Sequence, residues 1–101
     1  MAAQTLTAGA NNVTVGSVSK ARSVWVKYNA VKGGLTETGE IIVQNNENLP
    51  PPVRKWNFDD TELETVPLGM AISGDDLILI ITLAGDSDDI EFYYNLTPIK
   101  I

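Results

Sequence analysis

Apolar and polar residues alternate along most of the chain. The alternation is broken about every 8–15 residues by Gly, Pro, Asn or Asp. That rhythm predicts short strands joined by tight turns, packed as a sandwich or barrel. No window of eleven or more residues carries apolar positions at i, i+3, i+4 and i+7 free of β-branched crowding or Gly/Pro breaks, so no helix is predicted. The clearest strand covers residues 21–32. Side chains alternate across a strand, so Val24, Val26, Tyr28 and Ala30 share one face, and Trp25, Lys27 and Asn29 share the other. Gly33-Gly34 is a turn that tolerates positive φ. A return strand over residues 37–44, with Ile41 and Val43 on one face, completes a hairpin.

The flanking segments are read the same way. Residues 1–12 are small and polar and predict a flexible arm or an edge strand, with Thr5, Leu6 and Thr7 as its strand-forming part. Asn11-Asn12 reads as a turn before a short strand at Val13-Thr14-Val15. Pro50, Pro51 and Pro52 predict a stiff extended crossover, with Trp56 and Phe58 packing beneath it. Met70 and Ile72 alternate before a Gly74-Asp75 turn. Ile90, Phe92, Tyr94 and Leu96 mark one face of a last strand, and Pro98 places the tail at an edge or against a neighbour. The expected fold is all-β: an antiparallel β-sandwich, compact and jelly-roll-like, of about eight short strands. One domain would span residues 13–101.

The run Leu77-Ile78-Leu79-Ile80-Ile81 breaks the alternation. In a two-layer sandwich Leu77, Leu79 and Ile81 can face the core, which leaves Ile78 and Ile80 pointing outward. An exposed apolar strip invites aggregation, so these two need cover from the chain itself or from a second copy. Trp25, on an otherwise polar face, makes the same suggestion, because outward Trp residues often anchor interfaces. Trp25, Ile78 and Ile80 are the candidate subunit contacts.

Composition narrows the chemistry. The 101 residues contain no Cys and no His. That excludes disulfides, thiolate or imidazole zinc sites, Ser-His-Asp and Cys-His nucleophile systems, and a histidine general base. No apolar run approaches the roughly 18–20 residues of a membrane span, and the first residues show no basic patch followed by an apolar run. The net charge of −6 is the wrong sign for neutralising phosphates, so neither nucleic acid nor an anionic membrane is an expected partner. The charge is unevenly spread, +3 over residues 1–55 and −9 over residues 56–101. This fits a polar molecule that meets complementary surfaces, or strand ends that merely sort this way along the chain.

Few side chains suggest a site. Asp86, Asp88 and Asp89, with Asp75-Asp76 one strand away, have acidic spacing but lack the rest of a calcium loop, and ordinary solvated turns recruit Asp. Glu62, Glu64, Asp89 and Glu91 offer no distinguishable acid/base pair. No catalytic residue, metal ligand or cofactor is expected. Trp25 and Tyr93 are the plausible outward aromatics for stacking on a sugar.

The string Ser23-Val24-Trp25-Val26-Lys27-Tyr28-Asn29-Ala30-Val31-Lys32-Gly33-Gly34 resembles the hairpin opening of small β-sandwich virion proteins of tailed bacteriophages. The later course is similar too: Thr38-Gly39-Glu40-Ile41-Ile42-Val43, Leu68-Gly69-Met70-Ala71-Ile72, a Gly-Asp-Asp turn, a long apolar strand and an aromatic closing strand. The resemblance is one of pattern over residues 20–97. It implies a non-enzymatic structural protein of the virion, made in the host cytoplasm: a homo-oligomer, a trimer, serving as capsid decoration (cement) or head fibre. Its partners would be copies of itself and the major capsid or another virion protein. Attachment to the particle would fall to the N-terminal segment, at Thr5, Leu6 and Thr7. The alternative is a receptor- or glycan-binding module of a tail fibre, baseplate or bacterial adhesin.

Overall fold

A computed structural model describes residues 1–46, 52–58 and 66–100. Eight strands account for most of them: β1 (Ala2–Leu6), β2 (Gly9–Ser17), β3 (Ala21–Lys32), β4 (Leu35–Gln44), β5 (Val53–Phe58), β6 (Leu68–Ser73), β7 (Asp76–Leu83) and β8 (Ile90–Lys100). They form two antiparallel sheets, ordered β1-β8-β3-β4-β5 and β2-β7-β6. The pairs β1·β8 and β2·β7 lie in different sheets, so the chain wraps around the core in the manner of a jelly roll. The hairpins β3–β4 and β6–β7 each stay within one sheet, which makes the layers five- and three-stranded. Both hairpins close through two-residue loops whose first residue, Gly33 or Gly74, takes a φ of +61°.

The core follows from the alternation. Val24, Val26, Tyr28 and Ala30 of β3, Ile41 and Val43 of β4, and Ile90 and Phe92 of β8 face Val13 and Val15 of β2 and Leu77, Leu79, Ile81 and Leu83 of β7. The Phe92 ring stacks on Tyr28 at 5.2 Å between centroids and meets Tyr94 at 5.3 Å. One close approach demands a glycine. At Gly16, where β2 bulges against Leu77, an added Cβ would stand 2.9 Å from Val24 Cγ2.

Of the N-terminal expectations, the edge-strand alternative describes what is observed, and the Asn11-Asn12 turn needs correcting. Residues 2–6 form an edge strand paired with β8, and Leu6 is 0% exposed in the core. Asn11 and Asn12 lie within β2, and the turn precedes them, around Gly9 at φ +95°. The Asn11 side chain is buried and ties this crossover down. Its Nδ2 donates to the carbonyls of Thr7 (2.8 Å), Gly9 (3.0 Å) and Ile81 (3.1 Å), and its Oδ1 accepts the Thr7 N–H (2.9 Å).

β8 changes character along its length. Residues 91–94 lie between β1 and β3, whereas residues 95–100 pair, among the described residues, with β3 alone. Pro98 sits in that second half, where a missing donor is tolerated. The two halves of the sequence interleave: β3 lies beside β8, and β2 beside β7. Among the described residues the charge asymmetry along the chain is therefore not a separation of two ends in space. Pro50, Pro51, the acidic residues 59–60, 62 and 64, and the side chains of Trp56 and Phe58 lie outside what the structure describes.

Candidate functional site

The outer face of the three-stranded sheet is set by strand parity and register. Ile78 stands between Thr14 and Ala71, and Ile80 between Asn12 and Gly69; Ala10 and Thr82 follow. Both isoleucines are half-buried in the single chain. Among the described residues no charged side chain belongs to this face beyond Asp76 at one end. Solvent-facing sheets usually carry charges that discourage pairing with other chains. This one presents Ala, Asn, Thr, Ile and Gly.

Trp25 does not join Ile78 and Ile80. It faces outward from the five-stranded sheet, on the opposite side of the sandwich, 38% exposed. Register places it in a row across four strands, Val53–Ile42–Trp25–Thr97. The next row is Glu40–Lys27–Asn95, and the one after that is Thr38–Asn29–Tyr93. These last two rows line an open depression of about 290 Å³, rimmed by Met1. Tyr93 is 36% exposed, and it shares this outer face with Trp25.

The proposed attachment residues are engaged within the sandwich. Thr5 Oγ1 donates to the Glu91 carboxylate at 2.9 and 3.1 Å, Leu6 is core, and the Thr7 N–H goes to Asn11. A free arm at these positions would have to break all three. Thr5 and Thr7 stay exposed beside the buried Leu6, so any contact they make with a neighbour would be made by an ordered edge strand.

The acidic turns sit at opposite ends of β7. Asp75 is occupied locally: Ser17 Oγ and Ser19 Oγ donate to Oδ2, and the Ser19 N–H donates to Oδ1 at 2.9 Å. These bonds, the Ser17 hydroxyl first, hold its carboxyl below the ordinary value. Together with Val18 N–H to the Asp75 carbonyl (2.7 Å), they latch the β6–β7 turn to the β2–β3 connection. Among the described residues no three acidic side chains converge as a cation would require.

Two buried polar residues escape a reading by motif. Asn11 is 8% exposed and Glu37 is 0% exposed. The Tyr28 phenol donates to Glu37 Oε2 at 2.5 Å across the inner face of the five-stranded sheet. Parity was the available signal: Asn11 lies two residues before Val13, and Glu37 four before Ile41, so both had to point inward. No family model, curated protein or solved structure matches the chain.

Proposed function

We propose that this chain is a non-enzymatic structural subunit that associates with copies of itself through the outer face of its three-stranded sheet, as a capsid decoration or head-fibre protein of a tailed phage would. The observation that carries the reading is the uncharged surface running from Ala10, Asn12 and Thr14 through Ile78, Ile80 and Thr82 to Gly69 and Ala71. A second copy of the same face supplies the cover that water does not. The phage setting comes from the sequence resemblance; the contact comes from the face.

The energy of that contact is modest. Ile78 and Ile80 are half-buried before any partner arrives, so completing their burial contributes about 1–3 kcal/mol in all. An isolated pair would therefore be weak, and repetition on a particle would strengthen it through effective concentration.

The test is sedimentation over a protein concentration series, with Ile80→Asp beside the parent chain. The parent should self-associate as concentration rises. The variant should remain monomeric with unchanged strand content by circular dichroism. A parent chain that stays monomeric throughout, or a variant that associates as well as the parent, would overturn the reading.

A further inference from the structure

The opposite face holds a group of side chains whose hydrogen-bonding capacity is unspent. Glu40, Lys27 and Asn95 form one row across β4, β3 and β8, and Thr38, Asn29 and Tyr93 form the next. Two rows by three strands make a patch about 10 Å across and about 7 Å along the strands. The depression they line, about 290 Å³, is near the lower end of small-ligand sites, roughly 300–1,000 Å³.

The bonding state of each group is defined. Thr38 Oγ1 donates to Asn29 Oδ1 at 2.7 Å, which fixes the Asn29 amide and leaves its two N–H donors free. Lys27 and Glu40 face each other in register yet form no ion pair, and among the described residues neither they, Tyr93 nor Asn95 has a side-chain hydrogen bond. The patch thus offers an ammonium, a carboxylate, two amides and a phenol beside an aromatic ring. Glu40, whose register partners are Lys27 and Lys55, sets a carboxylate in the floor that a phosphate would have to face. The shallow, mostly polar floor gives an apolar ligand nothing to enter. A sugar ring matches both features: its hydroxyls donate and accept, and its C–H face packs on an aromatic ring. Trp25 lies in the next row beyond Lys27, so an aromatic stands on either side of the Lys27–Asn95 row.

We propose that this depression is a saccharide-binding site, with Tyr93 as the stacking surface and Asn29, Asn95, Lys27 and Glu40 as hydroxyl partners. It lies on the other side of the sandwich from Ile78 and Ile80, so it stands or falls independently of the self-association contact.

The test is a ¹H–¹⁵N titration of the full chain with D-glucose, D-galactose, N-acetyl-D-glucosamine and L-rhamnose, one at a time. At least one sugar should give saturable shifts at the amides of residues 27–29, 38–40 and 93–95. Tyr93→Ala and Asn95→Ala should each weaken that binding about tenfold while Ile80→Asp leaves it unchanged. If Tyr93→Ala loses the dispersed spectrum of a folded chain, Asn95→Ala and Lys27→Met carry the same comparison. No saturable shift with any of the four sugars, shifts clustered elsewhere, or folded variants that bind as the parent does would each overturn the proposal.

Discussion

The stability of the sandwich should depend heavily on one carboxamide. Asn11 makes four hydrogen bonds of 2.8–3.1 Å, three to the crossover between β1 and β2 and one to Ile81 in β7. Asn11→Ala removes all four. The amide has two N–H donors for its three carbonyl contacts, so at about 1 kcal/mol net for each full bond, the accepted one included, the ceiling is about 3 kcal/mol. Some water will reach the β1–β2 crossover once the side chain is gone, so a loss of about 2–3 kcal/mol is expected. For a chain of this size that corresponds to a melting temperature lower by roughly 10–20 °C.

Asn11→Asp separates hydrogen bonding from packing, because the shape is kept. An aspartate still accepts the Thr7 N–H, but it turns an oxygen toward the carbonyls of Thr7, Gly9 and Ile81. The ionised form is therefore penalised, and the folded chain holds the proton more tightly than the unfolded chain does. Between the unfolded value, about 3.9, and the raised folded value, the folded state binds more protons. Stability relative to the parent must then fall as pH rises through that window and level off above it. Urea unfolding of parent and variant at pH 4 and pH 7 measures this directly. A variant equal to the parent at pH 7, or a deficit that does not change with pH, would refute the assigned role of the Asn11 donors.

Three further outcomes follow from the same packing. Gly16→Ala should cost about 1–3 kcal/mol, because Val24 is stiff at χ1 and its Cγ2 stands 2.9 Å from the new Cβ; Val24→Ala in the same chain should relieve part of that cost, and strictly additive urea-unfolding energies would contradict the clash. Asp75, whose carboxyl is held low by Ser17 and Ser19, contributes stability that is present above its unfolded value and lost as pH falls through the lower folded one; a carboxylate NMR titration should place it below the ordinary aspartate value, and a midpoint at or above that value would contradict the latch. Tyr28→Phe takes one donor from the buried Glu37 carboxylate and should lower stability by about 1–3 kcal/mol in calorimetry, with no loss indicating that the phenol is replaceable there.

The layers were legible in the chain because period-two alternation determines which side chains can share a face. Val24, Val26, Tyr28 and Ala30 emerge buried together, as do Leu77, Leu79 and Ile81. What escaped was the meaning of polar residues inside that pattern. Asn11 has the composition of a turn and the position of a core residue, and position governs because its amide finds backbone partners at Thr7, Gly9 and Ile81. Small, polar composition left the first residues open between an arm and an edge strand; pairing with β8 and the buried Leu6 make them the strand. Sheet order was not legible. Beyond the β3–β4 hairpin that Gly33-Gly34 announces, nothing local says that β8 inserts between β1 and β3 or that β2 crosses over to β7, so the separation of Trp25 from Ile78 and Ile80 could not be foreseen, nor could the meeting of Tyr93 with Asn29.

That separation bears on how copies can meet. The two outer faces of a sandwich look in opposite directions, here across a molecule whose shortest extent is 20 Å. If the Trp25 row of one copy met the Ile78–Ile80 face of the next, each addition would point the same way and the contact would propagate as an open stack. A closed ring of three needs contact surfaces inclined to one another, so the trimer implied by the resemblance would have to join the three-stranded face to a neighbour's flank. The simplest closed arrangement uses one face twice about a twofold axis, bringing Ile80 toward its own mate and leaving the Trp25–Tyr93 face free for a ligand. Under that arrangement Ile80→Asp abolishes association and Trp25→Ala leaves it intact. If Trp25→Ala alone dissolved the assembly, the contact would lie on the five-stranded sheet and would compete directly with any sugar bound there.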